Sequence, residues 1–183
     1  MNKNKILMFL FIGSEAFFFI ALIISFVYYS RAGGSLSASA KYLDYKKTSI
    51  FTLFLILSSL SIELSGRNLK KGNRKLMLGW LLTTILFGAV FLFGQGSEYA
   101  RLISLNVTIS QNVFGSAFFT LTGFHGLHVF IGLVVLSLMA GLFYSGKFKK
   151  IEESFFESAS IYWHFVDAVW IVVFTVIYLG PIL

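Results

Sequence analysis

Hydrophobic and polar positions alternate along this chain in long blocks rather than at a strand's period of two or an amphipathic helix's period of 3.6. Apolar stretches cover about residues 6–29, 48–65, 76–93, 114–144 and 158–179, separated by short polar segments. Each is near or above the length of about 20 apolar residues that a helix needs to cross the hydrocarbon layer of a bilayer. The pattern predicts an all-α protein, a bundle of five transmembrane helices forming one domain over residues 1–183. The single proline, Pro181, follows the last stretch, so no helix is expected to carry a proline kink. No internal repeat is visible. The segment 31–47, with Gly33-Gly34 and alternating serine and alanine, reads as the one flexible linker. Lys3 and Lys5, the first apolar run and Ala38-Ser39-Ala40 imitate a secretory leader. That run is long for a leader and contains Glu15, so it is expected to remain as a membrane span.

Composition agrees with this setting. Of all residues 57% are apolar and 18% aromatic, and only 13% are charged, about half the charged share of soluble domains. A formal charge of +7 raises nucleic acid as a partner, but the basic residues sit in short loops between spans, where they orient a membrane protein. No nucleic-acid partner is expected. The absence of cysteine excludes disulfides, thiolate nucleophiles and cysteine-held metals. Lys3, Lys5, Arg67, Lys70, Lys71, Arg74, Lys75, Lys147, Lys149 and Lys150 fall on one side, against Arg31, Lys41, Lys46, Lys47 and Arg101 on the other. Cytoplasmic loops collect such residues, which predicts a cytoplasmic N-terminus and an outside C-terminus.

Polar side chains within the spans are the candidates for function, because each costs a few kcal/mol near the bilayer centre. Glu15 has nine residues of its span before it and fourteen after it, and no cation on its own helix reaches it. It reads either as a neutral carboxylic acid donating one hydrogen bond to a neighbouring helix, or as a proton-linked or headgroup-binding group. Glu63 precedes Arg67 by four residues and is expected to form an interfacial ion pair with it. His125 and His128 are offset by about 60° on one helix face, and His164 and Asp167 have the same spacing, at which a His–Asp pair can share a hydrogen bond. Three histidines make a meagre metal-ligand set, so interhelical hydrogen bonds or lipid headgroups are the expected partners of these rings. Gly115, Gly123, Gly126 and Gly132 line the fourth span, where another helix can approach closely, and a neighbour's hydroxyl or carboxylate is expected to complete His125. Tyr162, Trp163 and Trp170 fit an interfacial belt and an intersubunit face equally well.

Two of these stretches, "TGFHGLHVFIG" from Thr122 and "YWHFVDAVWIVVFTVIY" from Tyr162, resemble the signature segments of subunit III of the haem–copper respiratory oxidases, the cytochrome c oxidase type. "FIGSEAFFF" around Glu15 is similar to that family's helix with an intramembrane glutamate. "GNRKLMLGWLLTTILFGAVFLFGQGSEY" from Gly72 to Tyr99 is similar to a further block, with Glu98 in its Ser-Glu-Tyr element. The resemblance covers nearly the whole chain and implies a short, five-helix form. Many members carry additional leading helices that form a V with the rest and enclose phospholipids; here one wall of that cleft is expected to be missing unless another subunit supplies it.

The resemblance further implies a non-catalytic subunit of a proton-pumping terminal oxidase in aerobic respiration. Such a subunit packs on subunit I beside subunit II, stabilises the catalytic chain during turnover and helps supply protons. No active site and no cofactor are expected in this chain, with haem and copper held by partner subunits and electrons arriving from cytochrome c or quinol. Glu15 is then the buried carboxylate, and Glu63, Glu98, His125, His128, His164 and Asp167 are expected to fix helix packing and lipid headgroups. The expected location is a bacterial plasma membrane in preference to a mitochondrial inner membrane. Alternatives within the family are the same subunit in a quinol oxidase or an accessory protein of nitric oxide reductase. Outside it stands a small proton-coupled transporter, although the inverted repeats or broken helices of such proteins are not visible.

Overall fold

A computed structural model describes residues 3–32, 43–110, 113–145 and 152–180. The expected linker 31–47 lies mostly outside them, as do Lys41, Lys147, Lys149, Lys150 and the Ala38-Ser39-Ala40 triplet. The helices are α1 (Lys3–Ala32), α2 (Tyr45–Lys70), α3 (Arg74–Ser104), α4 (Val113–Tyr144) and α5 (Glu152–Phe174), the last continuing as a π-helical turn, Thr175–Leu179. All five are long and apolar enough to cross a membrane.

Hydropathy located these helices but underestimated several. α3 runs 11 residues past the expected end at Phe93, and α5 begins six residues before the expected start at Ser158. At 1.5 Å per residue the 31 residues of α3 extend about 46 Å against a hydrocarbon layer of about 30 Å. A helix stays helical in the headgroup layer because its hydrogen bonds are internal, while the residues there turn polar and lose the hydropathy signal.

Turn chemistry sets the boundaries. Asp44 caps α2 by accepting from the Lys47 N–H at 3.1 Å, and Asn73 caps α3 through the Leu76 N–H at 3.3 Å. Between them Gly72 adopts φ +73°, a left-handed conformation that reverses the chain within a few residues. α2 and α3 therefore form an antiparallel hairpin.

α5 occupies the middle of the arrangement, touching α1, α2 and α4, while α1 rests on α4 and α5 alone among the extensive helix pairings. Trp163 and Trp170 of α5 are 0% and 2% exposed. They belong to neither an interfacial belt nor an exposed face, which corrects the reading from sequence. Trp163 lies between Gly88 of α3 and Gly132 of α4, where added β-carbons would stand 2.7 Å and 2.9 Å from its ring. These small-residue notches replace the driving force that water supplies to a soluble core, since helices in lipid associate through close packing and interhelical hydrogen bonds. The indole N–H groups complete the fit: Trp163 donates to Ser58 Oγ and Trp170 to Thr52 Oγ1, each at 2.9 Å.

Candidate functional site

The described residues place the polar side chains of the spans at helix interfaces as separate small networks. Glu15 of α1 meets His128 of α4, with Oε2 and Nε2 3.0 Å apart and the two side chains 23% and 12% exposed. His128 Nδ1 lies 2.7 Å from the Phe124 carbonyl oxygen. A carbonyl only accepts, so Nδ1 carries a hydrogen, and one further proton is shared between Nε2 and Glu15. The pair is either a neutral acid donating to imidazole or a carboxylate accepting from imidazolium. The Tyr162 hydroxyl donates to the His128 carbonyl oxygen at 3.1 Å, joining α5 to the same place.

A second network connects α2 and α5. The Ser59 hydroxyl donates to Asp167 Oδ2 and stands 2.9 Å from His164 Nδ1. The expected direct His164–Asp167 bond is thus replaced by a bridge through Ser59, because side chains one turn apart on α5 both turn toward α2. Asp167 is 4% exposed, and its Oδ1 has no hydrogen-bond partner among the described residues.

The third network surrounds Glu98, which is 7% exposed. Its Oε2 accepts from the Thr48 hydroxyl at 2.6 Å and the Tyr178 hydroxyl at 3.0 Å, and its Oε1 from the Asp44 N–H at 3.4 Å. One carboxyl thereby ties the start of α2 and the π-helical end of α5 to α3. Nearby, Arg101 pairs with Asp44 at 4.0 Å. On the α3–α4 interface Gln95 donates to the Thr122 carbonyl oxygen at 2.6 Å, and the Tyr99 hydroxyl lies 2.7 Å from Thr122 Oγ1. Gly126 makes room for this amide, since a β-carbon there would come within 3.0 Å of it.

His125 departs from expectation. It is fully buried, and neither ring nitrogen has a hydrogen-bond partner among the described residues. Its ring stacks on Trp170 at 4.9 Å and meets the edges of Phe91 and Phe19 at 6.0 Å and 6.3 Å. The glycines beside it, Gly123 and Gly126, face the Tyr99 hydroxyl and the Gln95 amide, while the ring itself lies among aromatic side chains, so contact with π-systems takes the place of the expected hydrogen bond.

Glu63 and Arg67 form their i, i+4 pair at 3.0 Å, with both side chains more than half exposed; such a pair contributes at most about 0.5 kcal/mol. Lys70 and Glu157 join α2 to α5 at the same end of the bundle, 3.4 Å apart. Among the described residues no three His, Asp or Glu side chains converge as a metal-ligand set. Sequence reasoning missed Ser59, Gln95 and Thr48, whose hydroxyl and amide groups are too common in membrane helices to single out without knowing which helix each one faces.

Fold and polar networks together define a multi-pass membrane protein in which Glu15, Glu98, His128, His164 and Asp167 make polar contacts between helices. The sequence profile of cytochrome c oxidase subunit III matches residues 2–181. Similar proteins include a probable cytochrome c oxidase subunit 3 of Mycobacterium leprae, 37% identical over 168 residues, covering 91% of this chain and 83% of that one. The cytochrome bo(3) ubiquinol oxidase subunit 3 of Buchnera aphidicola is 34% identical, covering 100% of this chain and 97% of that one. The cytochrome c oxidase subunit 3 of Didelphis virginiana is 40% identical, covering 90% and 60%. The chain belongs to the cytochrome c oxidase subunit III family, the subunit III of haem–copper oxidases.

Proposed function

We propose that this chain is a non-catalytic subunit that packs on the metal-bearing subunit I of a proton-pumping terminal oxidase, stabilises it during turnover and assists proton uptake. The family match over residues 2–181 carries this reading. The networks are compatible with it, because they engage Glu15, Glu98 and Asp167 in contacts between helices. Haem and copper belong to the partner subunits, with subunit II and phospholipids completing the assembly. Cytochrome c is the proposed electron donor to the complex. Quinol is the second reading, favoured by end-to-end similarity to the ubiquinol oxidase subunit. The proposed location is a bacterial plasma membrane.

Purification in mild detergent is expected to bring down a companion chain that carries haem and is rich in intramembrane histidine, while the separated subunit holds neither haem nor copper. Stoichiometric haem or copper in the separated subunit, lost when His125, His128 or His164 is replaced by alanine, would overturn this.

On the loop charges, the proposed topology has the Lys71 end of the bundle in the cytoplasm and Ala38 outside. Because the chain has no cysteine, Lys71→Cys and Ala38→Cys can each be probed with an impermeant thiol reagent on intact cells without background. Position 38 is expected to label and position 71 to be protected; the opposite result inverts the topology.

A further inference from the structure

The Ser59 network has a feature that helix packing alone does not use. A groove of about 280 Å³ lies between α2 and α5 at the Lys70 end of the bundle, lined by Glu63, Arg67, Lys70, Glu157, Ser160 and His164. Along α5 its lining residues run from Phe156 to His164, so His164 is the one nearest the middle of that helix. From His164 the contacts continue inward, Nδ1 to Ser59 Oγ and Ser59 Oγ to Asp167 Oδ2. They end on a buried carboxyl whose other oxygen has no partner among the described residues. The groove is thus continuous, through one imidazole and one hydroxyl, with a buried acid near the middle of the Ser154–Leu179 span.

We propose that His164 and Ser59 conduct protons between this groove and Asp167, making Asp167 a proton-holding site inside the subunit. The three groups form a chain in which every member can both give and take a proton. With Asp167 ionised, His164 Nδ1–H donates to Ser59 and the Ser59 O–H donates to Oδ2. A proton bound at His164 Nε2 displaces the Nδ1 proton onto Ser59 Oγ, and the Ser59 proton moves to Oδ2. Imidazole is then left neutral with its hydrogen on Nε2, the serine unchanged and Asp167 neutral, so one proton enters and one positive charge moves inward. The reverse sequence returns it to the groove.

The surrounding charges suit a proton better than an anionic headgroup. Arg67 and Lys70 are each paired with a carboxylate of the same groove, Glu63 and Glu157, so its cations are already offset. α4 contributes His125, which stacks on Trp170 one turn beyond Asp167, and His128, which is engaged with Glu15 of α1. The Glu15 pair is a separate network with its own proton.

Infrared difference spectroscopy on the intact complex in lipid tests the route, with Asp167→Asn identifying the carboxyl band of Asp167. After transfer to heavy water, the isotope shift of that band times its exchange. Exchange is expected to be prompt in the native chain and slower by about tenfold or more in Ser59→Ala and His164→Gln. Ser59→Thr, which keeps the hydroxyl, is expected to restore it. Retention of the subunit is measured alongside, and either slow variant with normal retention supports the route. Unaltered exchange in both variants would overturn it, as would a difference spectrum in which Asp167→Asn removes no protonated carboxyl band at any pH the complex tolerates.

Discussion

Replacing Glu98 by alanine is expected to cost the folded subunit about 3 kcal/mol or more, the largest single-residue effect outside the tryptophan core. Three donors from two other segments converge on this carboxyl: the Asp44 N–H, the Thr48 hydroxyl and the Tyr178 hydroxyl. Alanine leaves the Tyr178 hydroxyl, on a residue 4% exposed, with no acceptor in that place. Thr48 fares better, because its hydroxyl also lies 3.0 Å from the Asp44 carbonyl oxygen. Tyr178→Phe removes one donor and leaves Glu98 two others, so it is expected to cost about 1 kcal/mol. The double variant is the discriminating case. If both residues act through one contact, Glu98→Ala with Tyr178→Phe costs no more than Glu98→Ala alone, because the orphaned hydroxyl has gone. Thermal midpoints of the complex in one detergent measure this, with release of the subunit as the transition. Strictly additive losses would show that Glu98 and Tyr178 stabilise the bundle independently.

Glu98 also marks the boundary of what could be read from the residues alone. The helices were legible because an apolar run of membrane length satisfies its backbone in lipid only by coiling into a helix, and Glu63 with Arg67 was legible because both partners lie on one helix at a spacing set by its geometry. Glu98 was not, because the run from Gly94 to Ser104 is polar enough to end the hydropathy signal although the backbone remains helical; only family resemblance drew attention to it. The pairing of Glu15 with His128 spans 113 positions and depends on which faces of α1 and α4 meet. The same holds for Ser59, which nothing in its local sequence distinguishes from Ser58, although Ser58 serves Trp163 and Ser59 serves the Asp167 network. His125 misled for a different reason. The expectation that a buried polar group finds a hydrogen bond is sound on average, but Gly126 faces the Gln95 amide, which is bound to Thr122 instead. The imidazole is left among Phe19, Phe91 and Trp170.

Glu15 should separate packing from proton supply more cleanly than any other residue of the chain. Its partner is constrained: with His128 Nδ1 engaged by the Phe124 carbonyl, only one proton lies between Nε2 and the carboxyl. Glu15→Gln keeps the shape and offers an amide N–H to Nε2, so the α1–α4 contact and retention of the subunit are expected to be normal. The amide has no proton to release, however, and if the pair assists proton supply, sustained oxygen consumption and proton release should both fall while the initial rate is preserved. Glu15→Ala goes further, since it leaves Nε2 without its partner and opens space beside Phe19, which lies 5.0 Å from the His128 ring. That loss is expected to weaken the α1–α4 contact by about 1–3 kcal/mol, lowering retention of the subunit as well as turnover. Retention, oxygen consumption and proton release measured together on both variants distinguish the cases. A glutamine variant equal to the native chain in all three, beside an alanine variant impaired in retention alone, would make Glu15 a packing residue. Native values throughout for both would remove it from any role.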